Sequence, residues 1–213
     1  MDNALETKAR QGDISAMKEL GMVFKKKYTD LVQTSSSQSA HNNGTSNKPN
    51  QNIKTEYAKQ AYYWLSQAGE NGDAIALYEL ANDSGILETA LGIELTPSKS
   101  TFGAIMKTMK KESALSKERN RLYEASAQMG YAPAQCEVAA SSILNNKKAI
   151  ANATAAAQQG YAPAQYLLAS WYEQKRGGLE YSSNEDRIEK AKYWYSQAAK
   201  QNYKDASEKV RNL

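Results

Sequence analysis

The chain has 213 residues, 41% of them hydrophobic and 23% charged, with a net charge of +4. That length suits one large domain or two small ones, and its scattered lysines, with no stripe or aromatic platform, argue against a nucleic-acid partner. The single cysteine, Cys136, excludes an intrachain disulfide framework and a cysteine-built zinc site, and no apolar run reaches the ~18 residues of a membrane span.

In chain order, Met1-Asp2-Asn3 runs into a helical pattern with almost no lead-in, which fits either a removed leader or a native cytosolic start. Leu5–Val23 is the first of five similar segments, followed by Leu65–Asn82, Tyr123–Ala140, Ala153–Ser170 and Tyr195–Val210. The first two are separated by Gln33–Asn52, rich in Ser, Asn, Gln and Thr, which is too poor in apolar side chains to bury a core and is expected to be a flexible loop. After the second, Phe102, Ile105, Met106 and Met109 fall at helical spacing, so an extra amphipathic helix is expected from about Ser98 to Lys111. It reads as a degenerate repeat or as an element covering the flank of the stack. Gly177–Glu185 is a polar loop leading into the last helix pair.

The five segments align on Gly12, Gly72, Gly130, Gly160 and Asn202. Three residues upstream every copy has a tiny residue: Ala9, Gly69, Ala127, Ala157 and Ala199. Four downstream stand Ala16, Ala76, Ala134, Ala164 and Ala206, and eight downstream Leu20, Leu80, Val138, Leu168 and Val210. The next position is small in four copies, at Gly21, Ala81, Ala139 and Ala169. Alanine at a fixed helical site lets two backbones approach closely. A glycine after the last periodic residue supplies a left-handed cap, which asparagine can replace. Asp13 and Asp73 then cap the next helix, and Pro133 and Pro163 fall in its first turn, where a missing N–H costs little. Each copy therefore reads as helix A, a tight turn and helix B. Helix A carries Trp64 and Trp194 within AYYWLSQAG (Ala61–Gly69) and AKYWYSQAA (Ala191–Ala199), both with an apolar stripe at i, i+3, i+4 and i+7. Such short helices are unstable alone, so stacking must hold them.

These strings, with MGYAPAQC (Met129–Cys136), QGYAPAQY (Gln159–Tyr166) and NGDAIALYELA (Asn71–Ala81), resemble Sel1-like repeats, relatives of the tetratricopeptide repeat. The resemblance covers roughly two-thirds of the chain. It implies an all-α fold, a right-handed α-solenoid of antiparallel helix pairs, here as one domain over residues 1–213 with the loop 33–52 inside it. The copies lie at irregular spacings, and of the usual glycine loop after helix B only Gly177-Gly178 is present. The resemblance further implies a protein–protein interaction module: an adaptor, or a bacterial immunity protein that sterically neutralises a secreted lipase-type toxin. The latter would be periplasmic, touching the membrane only through a lipid anchor lost with the leader; the alternative is a cytosolic adaptor or scaffold for signalling or envelope assembly.

No catalytic constellation emerges, so no enzyme activity and no cofactor or metal are expected. The one histidine, His41, lies in the polar run, and no phosphate-cradling glycine motif or calcium-loop spacing is present. Cys136 aligns with Tyr78 and Tyr166 on helix B and reads as a small semi-buried hydrophobe. The functional hint is aromatic. Tyr62, Tyr63 and Tyr193 flank the tryptophans away from the alanine stripe, and Trp171-Tyr172 close the fourth helix B. In a solenoid the A helices line the concave surface, so these five residues are expected to bind a partner. Trp64, Gly72, Gly130, Gly160 and Trp194 are expected to be structural.

Overall fold

The computed structural model describes residues 3–39, 48–93, 102–141 and 147–213, and every regular element among them is an α-helix. The chain divides into two compact units, Met1–Leu122 and Tyr123–Leu213. The first holds α1 (Asn3–Arg10), α2 (Ile14–Ser39), α3 (Lys48–Glu70), α4 (Ala74–Ala81), α5 (Ser84–Ala90) and most of α6 (Phe102–Gln128). The second takes the end of α6, then α7 (Ala132–Ser141), α8 (Lys147–Gln158), α9 (Ala162–Glu173), α10 (Asn184–Ala199) and α11 (Ala206–Asn212). The five helix pairs are thus α1/α2 and α3/α4 in the first unit, and α6/α7, α8/α9 and α10/α11 from the end of α6 onward.

One turn geometry recurs at every register point. Gly12, Gly72, Gly130 and Gly160 have φ between 85° and 103°, and Asn202 follows at 53°. In each copy the register residue's N–H donates to the carbonyl three residues back, and the next N–H to the carbonyl five back. This double closure satisfies carbonyls that the end of helix A would otherwise leave open. Helix B then starts on a cap: Asp13 Oδ1 accepts from the N–H of Ala16 and Asp73 Oδ1 from that of Ala76, both at 2.9 Å. The fourth copy has no such side-chain cap at Tyr161, and Pro163 occupies the first turn of α9 instead.

The columns form the core. The alanines four residues past the register point are all buried, as are Leu20, Leu80, Val138 and Leu168. In the first unit α2 packs along α3, which also meets α4 and α5. Gly21 marks the tightest approach, since a Cβ there would lie 2.7 Å from Leu65 Cγ and 3.0 Å from the Leu65 backbone nitrogen. Ion pairs join the B helices of consecutive copies: Lys18 Nζ to Asp73 at 2.7 Å and Lys25 Nζ to Glu79 at 2.9 Å. In the second unit each helix packs on the next from α7 to α11. There Lys209 pairs with Glu173 at 3.2 Å, at the register of Lys25–Glu79 with the charges exchanged.

Three expectations change. The run expected as a loop over 33–52 is helical over 33–39 and 48–52, and its remainder, with His41, lies outside the described residues. A helix anchored by buried Leu20, Phe24 and Tyr28 adds further turns at little cost, because nucleation is already done. At Thr34 the hydroxyl helps by donating to the carbonyls of Asp30 and Leu31. The extra helix expected over 98–111 is continuous with helix A of the third copy, giving the 27 residues of α6; Ser98 to Thr101 lie outside the described residues. It does not cover the core with its apolar cluster, because Leu115 and Leu122 are the buried positions while Ile105, Met106 and Met109 face outward. Third, α5 is an unforeseen helix, started by Asp83 Oδ1 accepting from the N–H of Ile86 at 3.0 Å and seated by buried Ile86 and Leu87.

Candidate functional site

The helical stripe that buries Ala61, Trp64, Leu65 and Ala68 turns the preceding tyrosine outward. Tyr63 is 52% exposed and Tyr193, its counterpart, 55%. Each ring stands edge-on against the neighbouring tryptophan. Tyr63 and Trp64 have centroids 4.9 Å apart at 77°, and Tyr193 and Trp194 repeat this at 4.9 Å and 76°. An edge-to-face contact of this kind stabilises by about 0.5–1.5 kcal/mol. Trp64 is buried under the Arg10 guanidinium, 5.9 Å from its ring, while Trp194 is half-buried against the cores on both sides of α10. Each unit therefore presents one large amphipathic ring held on a fixed platform, so little side-chain freedom remains to be lost on contact. The surroundings differ. Tyr63 lies between Glu56 and Glu70, which accept hydrogen bonds from Gln60 and Gln67. Around Tyr193, Lys190 replaces Gln60 and pairs with Asp186 at 3.2 Å, and Lys200 replaces Glu70.

The other three expected contact residues are less available. Tyr62 is half-buried, and its hydroxyl donates to Glu118 Oε1 at 2.9 Å on α6. Burial and that carboxylate push its phenol above the ordinary value. Tyr172 is half-buried against the core of the second unit, and burial raises it too. Trp171 departs from the expectation outright. It is 4% exposed, part of the core, with the Arg176 guanidinium 3.9 Å above its ring. The helical stripe that buries Ala164 and Leu168 continues to position 171, so this tryptophan packs inward.

Two polar features escaped the sequence reading. Gln135 and Gln165, each five residues past its register glycine, are buried and donate to the carbonyls of Ala127 and Ala157. Gln159 Nε2 of the next copy then donates to Gln135 Oε1 at 2.9 Å and to the Gly130 carbonyl at 3.0 Å. Gln201 does the same to Gln165 and Gly160, at 3.0 and 2.9 Å. This glutamine ladder ties copies three, four and five by identical bonds; the first two copies have Met17 and Leu77 at the Gln135 position. The second feature is Arg187, buried on α10, whose Nη1 donates to the carbonyls of Tyr172 and Glu173 at the end of α9. A buried cation on the last carbonyls of a helix is stabilised by its negative end.

Cys136 is buried and its thiol is pushed up to about 11 by burial first, then by Glu137. Among the described residues no three His, Cys, Asp or Glu side chains gather to hold a metal, and no helix is long and apolar enough to cross a membrane.

No family model matches the chain, and no curated protein matches it. Among solved structures it is similar to a Sel1 repeat protein from Oxalobacter formigenes, with 20% identity and a TM-score of 0.48, over 71% of this chain and 98% of that one. It is also similar to c5321, described as a protective antigen present in uropathogenic Escherichia coli strains displaying an SLR fold. There the identity is 20% and the TM-score 0.39, over 97% of this chain, which spans half the length of that one. Both likenesses are remote; five helix pairs, one recurring turn and shared small-residue columns make the fold of this chain an all-α repeat of helix pairs.

Proposed function

We propose that this protein is a binding module for another protein, with Tyr63 and Tyr193 as its anchors. The observation that carries this is the pair of rings more than half exposed, each fixed edge-on by a tryptophan at the same register position. Tyrosine and tryptophan dominate protein interfaces because they bury large areas at low entropic cost. The most specific form of the proposal is an immunity-type inhibitor that covers the active site of a secreted lipase-type bacterial toxin, acting in the periplasm. Steric inhibition requires no chemistry of the binder, and the raised Cys136 thiol offers none at neutral pH.

The test is co-expression with the product of the neighbouring reading frame, followed by purification and a lipase assay. The proposal expects a stoichiometric complex in which ester hydrolysis is suppressed and returns when the partner is released. A neighbour that neither binds nor hydrolyses esters, together with a chain recovered from the cytosol bound to another protein, would favour the adaptor reading.

A further inference from the structure

The first turns of α6 carry an apolar strip that stays exposed. Ile105, Met106 and Met109 are 45%, 50% and 57% exposed, among the most exposed large apolar side chains of the described residues. The same helix meets its own unit through other positions: Leu115 and Leu122 are buried, and Glu118 accepts from Tyr62. Helical spacing fixes what borders the strip. Lys110 follows Met106 by four residues and Lys117 by eleven, so both exposed cations line one edge. Glu112 follows Ile105 by seven and Met109 by three, so an exposed carboxylate lines the other. Lys107 adds a further exposed cation on the side of Lys110.

We propose that this face of α6 docks an amphipathic segment of a partner protein, whose apolar side chains are edged by carboxylates. The rim decides the occupant. A second copy would set lysines against lysines when antiparallel, and when parallel would set Lys107, Lys110 and Lys117 against one carboxylate, so positive charge is in excess either way and disfavours self-association. An anionic membrane would attract the lysines but would repel and dehydrate Glu112 beside the apolar strip. A protein segment can answer both edges at once, carboxylates facing Lys110 and Lys117 and a cation facing Glu112, which also sets its direction along the helix. Methionine suits such a surface, because its unbranched, polarizable side chain repacks around different apolar shapes. The strip shares no residue with the Tyr63 and Tyr193 anchors, and this proposal stands without them.

The experiment uses the full chain with three probes: a fluorescent 18-residue Leu/Glu helical peptide with one lysine edge, the same peptide with Glu and Lys exchanged, and phosphatidylglycerol vesicles. The Leu/Glu peptide is expected to bind at least tenfold more tightly than its exchanged form. M106S/M109S should weaken it by tenfold or more, and K110E/K117E should reverse the preference between the two peptides. All variants should keep the wild-type melting temperature, because these side chains are exposed; K26E/K59E, an equal charge change at exposed lysines of α2 and α3, should leave the peptide affinity unchanged. Equal affinity for the two peptides, or binding untouched by both double variants, would overturn the proposal. So would vesicle binding abolished by M106S/M109S, which would assign the strip to lipid, or a sedimenting dimer lost in that variant.

Discussion

At the scale of single residues, the structure separates positions that share a sequence column but not an environment. Alanine stands three residues before the register point in four copies, yet the second copy has Gly69. A Cβ at Gly69 would lie 2.1 Å from Leu77 Cδ2 and 2.3 Å from its Cγ. The cause is the next column: where unit two has Gln135 and Gln165, this copy has Leu77, whose branched side chain fills the space against α3. Gly69→Ala therefore introduces the residue that the repeat itself favours and should still destabilise by about 1–3 kcal/mol through overpacking. A chemical denaturation curve unchanged from wild type would show that Leu77 moves aside freely. Gln165→Leu makes the converse substitution. It removes the donor to Ala157 and one of the two acceptors for Gln201, while Ala157 still accepts from Gly160 and Gln201 still donates to the Gly160 carbonyl, so it should cost about 0.5–1.5 kcal/mol for each hydrogen bond lost. A neutral result would reduce the glutamine ladder to a packing feature.

At the scale of elements, helix pairs were legible and their lengths were not. Small residues at fixed offsets from a glycine, repeated five times, gave the A helix, the turn and the B helix, and all five register residues adopt the left-handed conformation the columns required. Composition misled at the polar run, because Ser, Gln and Thr are poor core formers but tolerable as extra turns on an anchored helix. At α6 the apolar spacing predicts a helix, as a degenerate repeat or a flank-covering element; the helix is there, but Ile105, Met106 and Met109 are exposed on it. The ion pairs between B helices were equally hidden, since Lys25–Glu79 and Glu173–Lys209 exchange charges at one register and no shared column marks them.

The last helix carries a pH signature of its own. Tyr166 donates to Asp205 at 2.6 Å at the start of α11, and Tyr195 donates to Glu173 at 2.6 Å, which also meets Lys209 of α11. Both carboxylates are held below their ordinary values, first by these hydroxyls. Their contribution is therefore present above the ordinary carboxylate range and is lost as pH falls through the lowered values. The two phenols are raised: Tyr166 to about 12, chiefly by Asp205, and Tyr195 upward, chiefly by burial. Their contribution is complete below 10.0, the ordinary tyrosine value, and is lost as pH rises through the elevated values. The melting temperature should be level from about pH 5 to about pH 9.5 and decline on both sides. Tyr195→Phe should shallow both declines, since it removes one phenol and releases Glu173 toward its ordinary value. Unaltered slopes in that variant would exclude the hydrogen bond as their source.

At the scale of the whole molecule, two compact units each present one tyrosine fixed on a tryptophan, over cores built from alanine columns. Of the five aromatics expected to contact a partner, Tyr63 and Tyr193 are exposed, Tyr62 and Tyr172 half-buried and Trp171 buried. The sequence could not separate them, because adjacent aromatics on a helix differ by about 100° of rotation and only packing tells which one faces out. Binding through fixed, exposed rings makes a demand that a structural role does not: affinity and stability must come apart. Isothermal titration of the partner into wild type, Tyr63→Ala, Tyr193→Ala and the double variant, with melting temperatures taken on the same samples, measures both. Each single variant should lose tenfold or more in affinity, about 1.4 kcal/mol or more, while melting within a few degrees of wild type. Unchanged affinity accompanied by a large fall in melting temperature would make the two tyrosines part of the core and contradict the account.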